Sequence, residues 1–172
     1  QGHHKITYRG IPALKCPFDY VIYQMIIMEL QPDVIIEIGT NRGGSALYLA
    51  DLMNIINHGV VHTIDIKYPS EIVLEHPRIR AFNDAWQGYD ISEIKNFSKI
   101  MVIDDASHIY EDTLAAIIKF APLVSKDSYL IVEDGIISEL GFSEEYHGGP
   151  LKAINEFLEI HKDFIIDNQW CN

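Results

Sequence analysis

Apolar residues along this chain fall into short runs that alternate between a strand-like and a helix-like period. Val34-Ile35-Ile36-Glu37-Ile38 is a β-branched run that stops at Gly39 and predicts a strand. From Gly43 to about Ile56, the positions Leu47, Leu49, Ala50, Leu52, Met53 and Ile56 supply the apolar face of a helix. Further strands are predicted over 60–65, 78–82, 99–104 and 128–133, and a sixth over 163–166. Further helices are predicted over 90–97, over 110–120 with a stop near Pro122, and over 150–160 with Pro150 in the first turn. Before the first strand, Pro17 opens a helix carrying Val21, Ile22, Tyr23, Met25, Ile26, Ile27, Met28 and Leu30. It is apolar nearly all round, which predicts burial in the core or in a subunit contact.

Alternating strands and helices predict an α/β fold, a doubly wound and mainly parallel sheet flanked by helices. No repeat, low-complexity tract or linker interrupts the pattern. The expectation is one domain over 1–172, with an N-terminal extension and helix (1–31) before the core (32–172). In such sheets ligands collect at the carboxyl ends of the strands. Those ends read Glu37/Gly39, Asp65, Asn83/Asp84, Asp104/Asp105 and Glu133/Asp134, so each carries a carboxylate.

Composition narrows the function. The 172 residues are 48% hydrophobic, which excludes intrinsic disorder as a description of the whole. A net charge of −12 argues against a nucleic-acid partner, because phosphate binding needs a basic face. Two cysteines, Cys16 and Cys171, make no disulfide framework and suit a reducing compartment. No apolar run reaches the length of a membrane span and no basic-then-apolar leader opens the sequence. The expectation is a cytoplasmic protein with neither membrane nor nucleic acid as partner. His3 and His4 carry no metal argument.

The loop from Gly39 through Thr40, Asn41, Arg42 and Gly43 to Gly44 and Ser45 joins the first strand to its helix. Its glycines permit a sharp turn and a close ligand, and the helix start offers free N–H groups to a carboxylate or phosphate. The spacing G-x-x-x-G-G is neither the dinucleotide fingerprint nor a P-loop. Asp65, ending the next strand, suits a ribose diol, since one carboxylate can accept from both hydroxyls.

Ile103-Asp104-Asp105-Ala106-Ser107-His108 and Ile131-Val132-Glu133-Asp134-Gly135 end the fourth and fifth strands. Adjacent strands lie about 5 Å apart, so pairing these two gathers four carboxylates in a small volume. Such a group must take up protons or hold a cation. Oxygen ligands without clustered Cys or His favour Mg²⁺ or Ca²⁺ over zinc. Glu133 and Asp134 point to opposite faces of an ideal strand, although Gly135 gives the chain room to turn both toward one ion. His108, three residues after Asp105, can overhang the same pocket and take the proton of a substrate hydroxyl. The loop from Gly135 to Pro150, with Phe142, Tyr146 and His147, has the position of an active-site lid or of a plain surface excursion.

These residues together resemble the cephalosporin hydroxylase family. The likeness runs from Pro32 through Thr40 and from Arg42 through Leu47. Upstream it includes Gly10-Ile11-Pro12, Lys15, Pro17, Asp19 and Tyr23-Gln24. Downstream it includes Asp105-x-x-His108, Ala121 to Val124, Tyr129 to Asp134, Gly149-Pro150 and Ala153-x-x-Glu156-Phe157-Leu158. The best-known type of that family is an S-adenosylmethionine-dependent methyltransferase of cephamycin biosynthesis. The resemblance implies a Rossmann-like class I methyltransferase fold, S-adenosylmethionine and a Mg²⁺ site. It implies that Glu37 faces the methionine amino group, that Gly39, Thr40, Arg42, Gly43 and Ser45 line the cofactor, and that Asp84 lies near the adenine with Trp86 beside it or in the core. Asp105, Glu133 and Asp134 become the metal acids, and His108 the general base of an O-methyltransferase. It also implies a homo-oligomer and a small-molecule hydroxyl acceptor such as a sugar or polyketide.

One departure stands out. The family sheet ends with an antiparallel seventh strand, whereas this sequence stops soon after the predicted sixth. That strand is missing, or a partner chain supplies it, or the sequence continues. The alternatives to an enzyme of this kind are a non-catalytic S-adenosylmethionine-binding module of a larger assembly and a nicotinamide-dependent oxidoreductase, which the glycine spacing disfavours.

Overall fold

Residues 5–171 are described by the computed structural model. A short antiparallel hairpin, β1 (Thr7–Tyr8) with β2 (Ile11–Pro12), precedes helix α1 (Pro17–Leu30). Then follow β3 (Val34–Ile38), α2 (Gly44–Ile55), β4 (Val60–Ile64), the single turn α3 (Glu71–Leu74), β5 (Ile79–Phe82), β6 (Ile100–Asp104), α4 (Tyr110–Phe120), β7 (Leu130–Val132) and α5 (Gly149–Ile160). The larger sheet runs β5-β4-β3-β6-β7 with every pair parallel, as the alternation of patterns predicts.

Two expectations are corrected. Residues 163–166 form no strand, and among the described residues the sheet has neither a sixth nor a seventh strand. Side chains anchor that segment instead. Phe164 packs edge-on against Phe157 of α5, and Tyr129 donates to Asp167 at 2.9 Å while accepting from the Trp170 indole. The helix expected over 90–97 is one 3-10 turn, Ile91–Ile94, started by Asp90 accepting from the Ser92 N–H.

The pleat sorts the core. Ile35, Met101, Ile103 and Ile131 pack with Ile26 and Ile27 of α1 and with Ala50 and Met53 of α2. Val34, Ile36, Ile38 and Val102 face the other way, onto Ala116 and Phe120 of α4. Helix α5 lies beside α4, with Ala153 and Phe157 against Ile117 and Ala121. Strands β3 and β6 are buried along their whole length, which is why they read as continuous apolar runs rather than alternating ones.

Helix α1 starts at Pro17 and ends where Gln31 turns left-handed and its N–H reaches the Ile27 carbonyl at 2.8 Å. The expectation of burial holds for the face carrying Tyr23, Ile26, Ile27 and Leu30, but Phe18, Val21 and Met25 are exposed. No helix among the described residues is long and apolar enough to cross a membrane.

On β4, His62 is buried among Phe82, Tyr89 and Phe97, with Nδ1 at 2.7 Å from the Tyr89 hydroxyl. Burial first, and then the Arg80 charge, push its pKa down to about 4. Below the ordinary histidine value of about 6.5, the unfolded chain takes a proton that the folded one refuses. This contribution to stability is therefore complete above that value and is lost as pH falls toward 4. Urea unfolding should show this loss as about 3 kcal/mol in wild type, and His62→Phe should lack it, so that the difference between the two proteins carries the slope. Parallel pH dependences in the two proteins would refute it.

Candidate functional site

The chain leaves β3 toward α2 on one face of the sheet and leaves β6 toward α4 on the other. The crevice between these adjacent strands is the topological switch point of the sheet. The two chains pass so closely there that a Cβ on Gly39 would lie 2.1 Å from the Asp105 carbonyl oxygen. Gly39 also has φ +101°, so no other residue meets both demands. Gly43, at φ +88°, then delivers the chain into α2, whose first turn has no side-chain cap.

Around this loop, Asp65 is half-exposed, and its carboxylate accepts from the Asn41 N–H at 2.7 Å and the Lys67 N–H at 2.9 Å. A carboxylate has about four acceptor sites, so this one retains capacity for two more hydroxyls. Glu37 is fully buried beneath the loop. Its Oε2 accepts from Thr63 at 2.5 Å, Thr63 is linked to Thr40, and Oε1 has no hydrogen-bond partner. Burial raises the Glu37 pKa, while Lys15, Ser45 and Thr63 oppose the shift. Ser45 is buried in the first turn of α2, and Arg42 is exposed. Asp84 is turned onto its own loop, accepting from the Ala85 N–H at 2.7 Å. Trp86 packs against Phe120, on the core side.

The second half of the site follows the pleat. The register that puts Ile131 toward α1 puts Glu133 there too and sends Asp134 to the α4 side. Asp134, left-handed at φ 58°, meets His108, left-handed at φ 59°. His108 Nε2 lies 3.2 Å from Asp134 Oδ2 and 3.8 Å from Asp105 Oδ1. One ligand atom from each of Asp105, His108 and Asp134 falls within 4.8 Å of the others. Of the expected metal acids Asp105, Glu133 and Asp134, this trio contains Asp105 and Asp134. Glu133 Oε1 is instead engaged by the Lys15 ammonium and by the Tyr23 hydroxyl, the latter at 2.5 Å. Asp104 is sealed below the cluster, where burial pushes its pKa up to about 7.

Neither Lys15 nor Tyr23 is given a role by the sequence, although both belong to the stretch that carries the family resemblance. A lysine beside the apolar helix α1 was the available signal. Its Nζ also lies 2.7 Å from Asp105 Oδ2. Burial alone would lower the Lys15 pKa, but Glu133, Asp105 and Glu37 together raise it above the ordinary lysine range. Burial, reinforced by Glu133 and opposed by Lys15, holds Asp105 above the usual carboxylate range. The 135–148 loop closes the flank. Ser138 donates to the Gly148 carbonyl, the Tyr110 N–H to the Tyr146 carbonyl, and the Tyr146 ring lies 6.3 Å from that of His108.

Comparison with known proteins identifies the family and the fold. The family model described as Rhamnosyl O-methyltransferase/CmcI matches residues 2–172. A protein named rhamnosyl O-methyltransferase from Mycobacterium tuberculosis strain H37Rv is 34% identical over 166 residues, covering 89% of this chain and 66% of its own length. One of the same name from Mycobacterium leprae is 30% identical over 169 residues, covering 88% of this chain and 69% of its own length. The chain thus spans just under two thirds of the mycobacterial H37Rv relative. Among solved structures, CmcI with SAH superposes with a TM-score of 0.75 at 21% identity, over 100% of this chain and 79% of that one. CmcI with Mg-SAM gives 0.71 at 22%, over 98% and 72%. The sheet and its flanking helices are those of the class I methyltransferase fold.

The close approach at Gly39 has a measurable consequence. Gly39→Ala should cost about 3 kcal/mol in urea unfolding, from a strained left-handed backbone plus overpacking against a carbonyl. A loss under 1 kcal/mol would mean that the crevice can open freely.

Proposed function

Because the chain belongs to the rhamnosyl O-methyltransferase/CmcI family, we propose that it transfers the methyl group of S-adenosylmethionine to a hydroxyl of a small molecule, with His108 as general base and Mg²⁺ held by Asp105 and Asp134. The observation that carries this reading is the meeting of Asp105, His108 and Asp134 within 4.8 Å beside the Gly39 crevice. A sugar or polyketide hydroxyl is the acceptor class, and the names of the mycobacterial relatives favour the sugar.

The residues present fit both groups. On the cofactor side stand an uncapped helix start, Asp65 with unused acceptor capacity, and Glu37 Oε1, a buried acceptor that an amino group would satisfy. On the metal side, two carboxylates suit a hard cation. When bound, the cation supplies a Lewis acid that makes an acceptor hydroxyl more acidic. His108 accepts the hydroxyl proton as the acceptor oxygen takes the methyl group. Asp134 and Asp105, 3.2 and 3.8 Å from Nε2, stabilise the imidazolium that results. The Tyr146 ring of the 135–148 loop stands 6.3 Å from the His108 ring, beside the proposed base.

Calorimetric titration should show S-adenosylmethionine binding by wild type. Asp65→Ala should weaken that binding at least about tenfold, since a hydrogen bond to a charged group contributes ~1.5–3 kcal/mol. A wild type that fails to bind, with or without Mg²⁺, would remove the reading. The base is tested by methyl transfer to hydroxylated sugars. Asn tolerates left-handed backbone, so His108→Asn should fold normally yet lower kcat by about 10²–10⁴-fold. Unchanged kcat would assign the proton to another group.

A further inference from the structure

Lys15 is nearly sealed, with its side chain 3% exposed, and it does not lie on the His108 side of the cluster. Its Nζ is 2.7 Å from Asp105 Oδ2 and contacts Glu133 Oε1, which Tyr23 also holds. The other Asp105 oxygen, Oδ1, is the one directed at His108 Nε2, at 3.8 Å. The two oxygens of one carboxylate are thus divided between a buried ammonium and the open cluster. A free carboxylate can rotate about its Cβ–Cγ bond and offer either or both oxygens. This one is pinned by an ion pair that is itself fixed by Glu133 and Tyr23.

We propose that Lys15 is a positioning residue for the divalent-cation site, holding Asp105 so that it meets the cation through Oδ1 alone. The inference rests on the cation reading given under Proposed function. Partners behind a ligating carboxylate commonly set its orientation, and their loss weakens metal binding without removing a ligand. Lys15 also balances the charge of Glu133 and Glu37, so the cation meets a cluster whose inner half is already neutralised. A cation that entered by expelling the ammonium would instead have to break a buried ion pair, which is costly.

The test uses the full chain and Mn²⁺ as probe, followed by loss of the free-ion electron paramagnetic resonance signal. Lys15→Met keeps the length of the side chain and removes its charge. It should bind Mn²⁺ about tenfold or more weakly than wild type, with unchanged near-ultraviolet circular dichroism. Equal or tighter binding by a folded Lys15→Met overturns the proposal and leaves the cation reading standing. A wild type that binds no Mn²⁺ overturns both. Lys15→Met leaves acids without their counter-ion, so a second measurement on wild type decides if the variant fails to fold. In protein labelled with ¹⁵N-lysine, the Lys15 ammonium cross-peak should be protected from exchange with water. It should persist, shifted, when Mg²⁺ saturates the site. Its loss to exchange on Mg²⁺ addition would show the ammonium displaced and would overturn the proposal.

Discussion

One buried ammonium makes the carboxyl edge of this sheet tenable. Strand ends from β3, β6 and β7 bring Glu37, Asp105 and Glu133 toward the same interior face, where burial penalises every charged form. Lys15 is the cation that all three carboxylates share. Breaking a buried ion pair by deleting one partner costs about 3–5 kcal/mol, more than most surface arrangements contribute in total. Stability and site architecture are therefore coupled at this residue. The hairpin β1–β2 and helix α1, which look like an appendage to the sheet, are what bring the ammonium and the Tyr23 hydroxyl into place.

The division of labour at the edge follows from two simple geometrical facts. Side chains alternate across a strand, so consecutive acids such as Glu133 and Asp134 part company unless the backbone bends. Adjacent strands whose connections depart to opposite faces leave a crevice between them, here between β3 and β6. Asp105 is the residue at which the two effects meet. It follows β6 directly, it approaches Gly39 across the crevice, and its two oxygens face different sides. The inner side is occupied by Lys15, Glu133 and Tyr23. The outer side presents His108 and Asp134 to whatever enters the crevice.

That outer side is held in strained backbone. His108 and Asp134 are both left-handed, a conformation that costs a non-glycine residue about 1–2 kcal/mol. His108 lies before α4, which begins at Tyr110, and Asp134 leads from β7 into a 3-10 turn over Gly135–Ser138. The imidazole and the carboxylate converge there, with Nε2 of His108 3.2 Å from Oδ2 of Asp134.

Local pattern along the chain is enough to place the five parallel strands, helices α1, α2, α4 and α5, and the family. Strands β3 and β6 are apolar throughout because both faces are covered, and that continuity is visible without coordinates. The glycine loop, Asp65 and the acids at the strand ends were equally legible, because each is a local signal attached to the end of a local pattern. The strand read into 163–166 was not there, because Phe164 and Asp167 found side-chain partners on α5 and Tyr129 that a local pattern cannot reveal. Trp86, which its sequence position fits to either cofactor or core, is partly buried and packs against Phe120. What only the tertiary structure decided was which acids keep company. Glu133 and Asp134 are neighbours in sequence but lie on opposite faces, whereas Lys15 and Glu133, 118 residues apart, share a hydrogen bond. Pairings of that kind depend on the pleat and on how a preceding helix docks, so they are a property of the assembled core rather than of any segment.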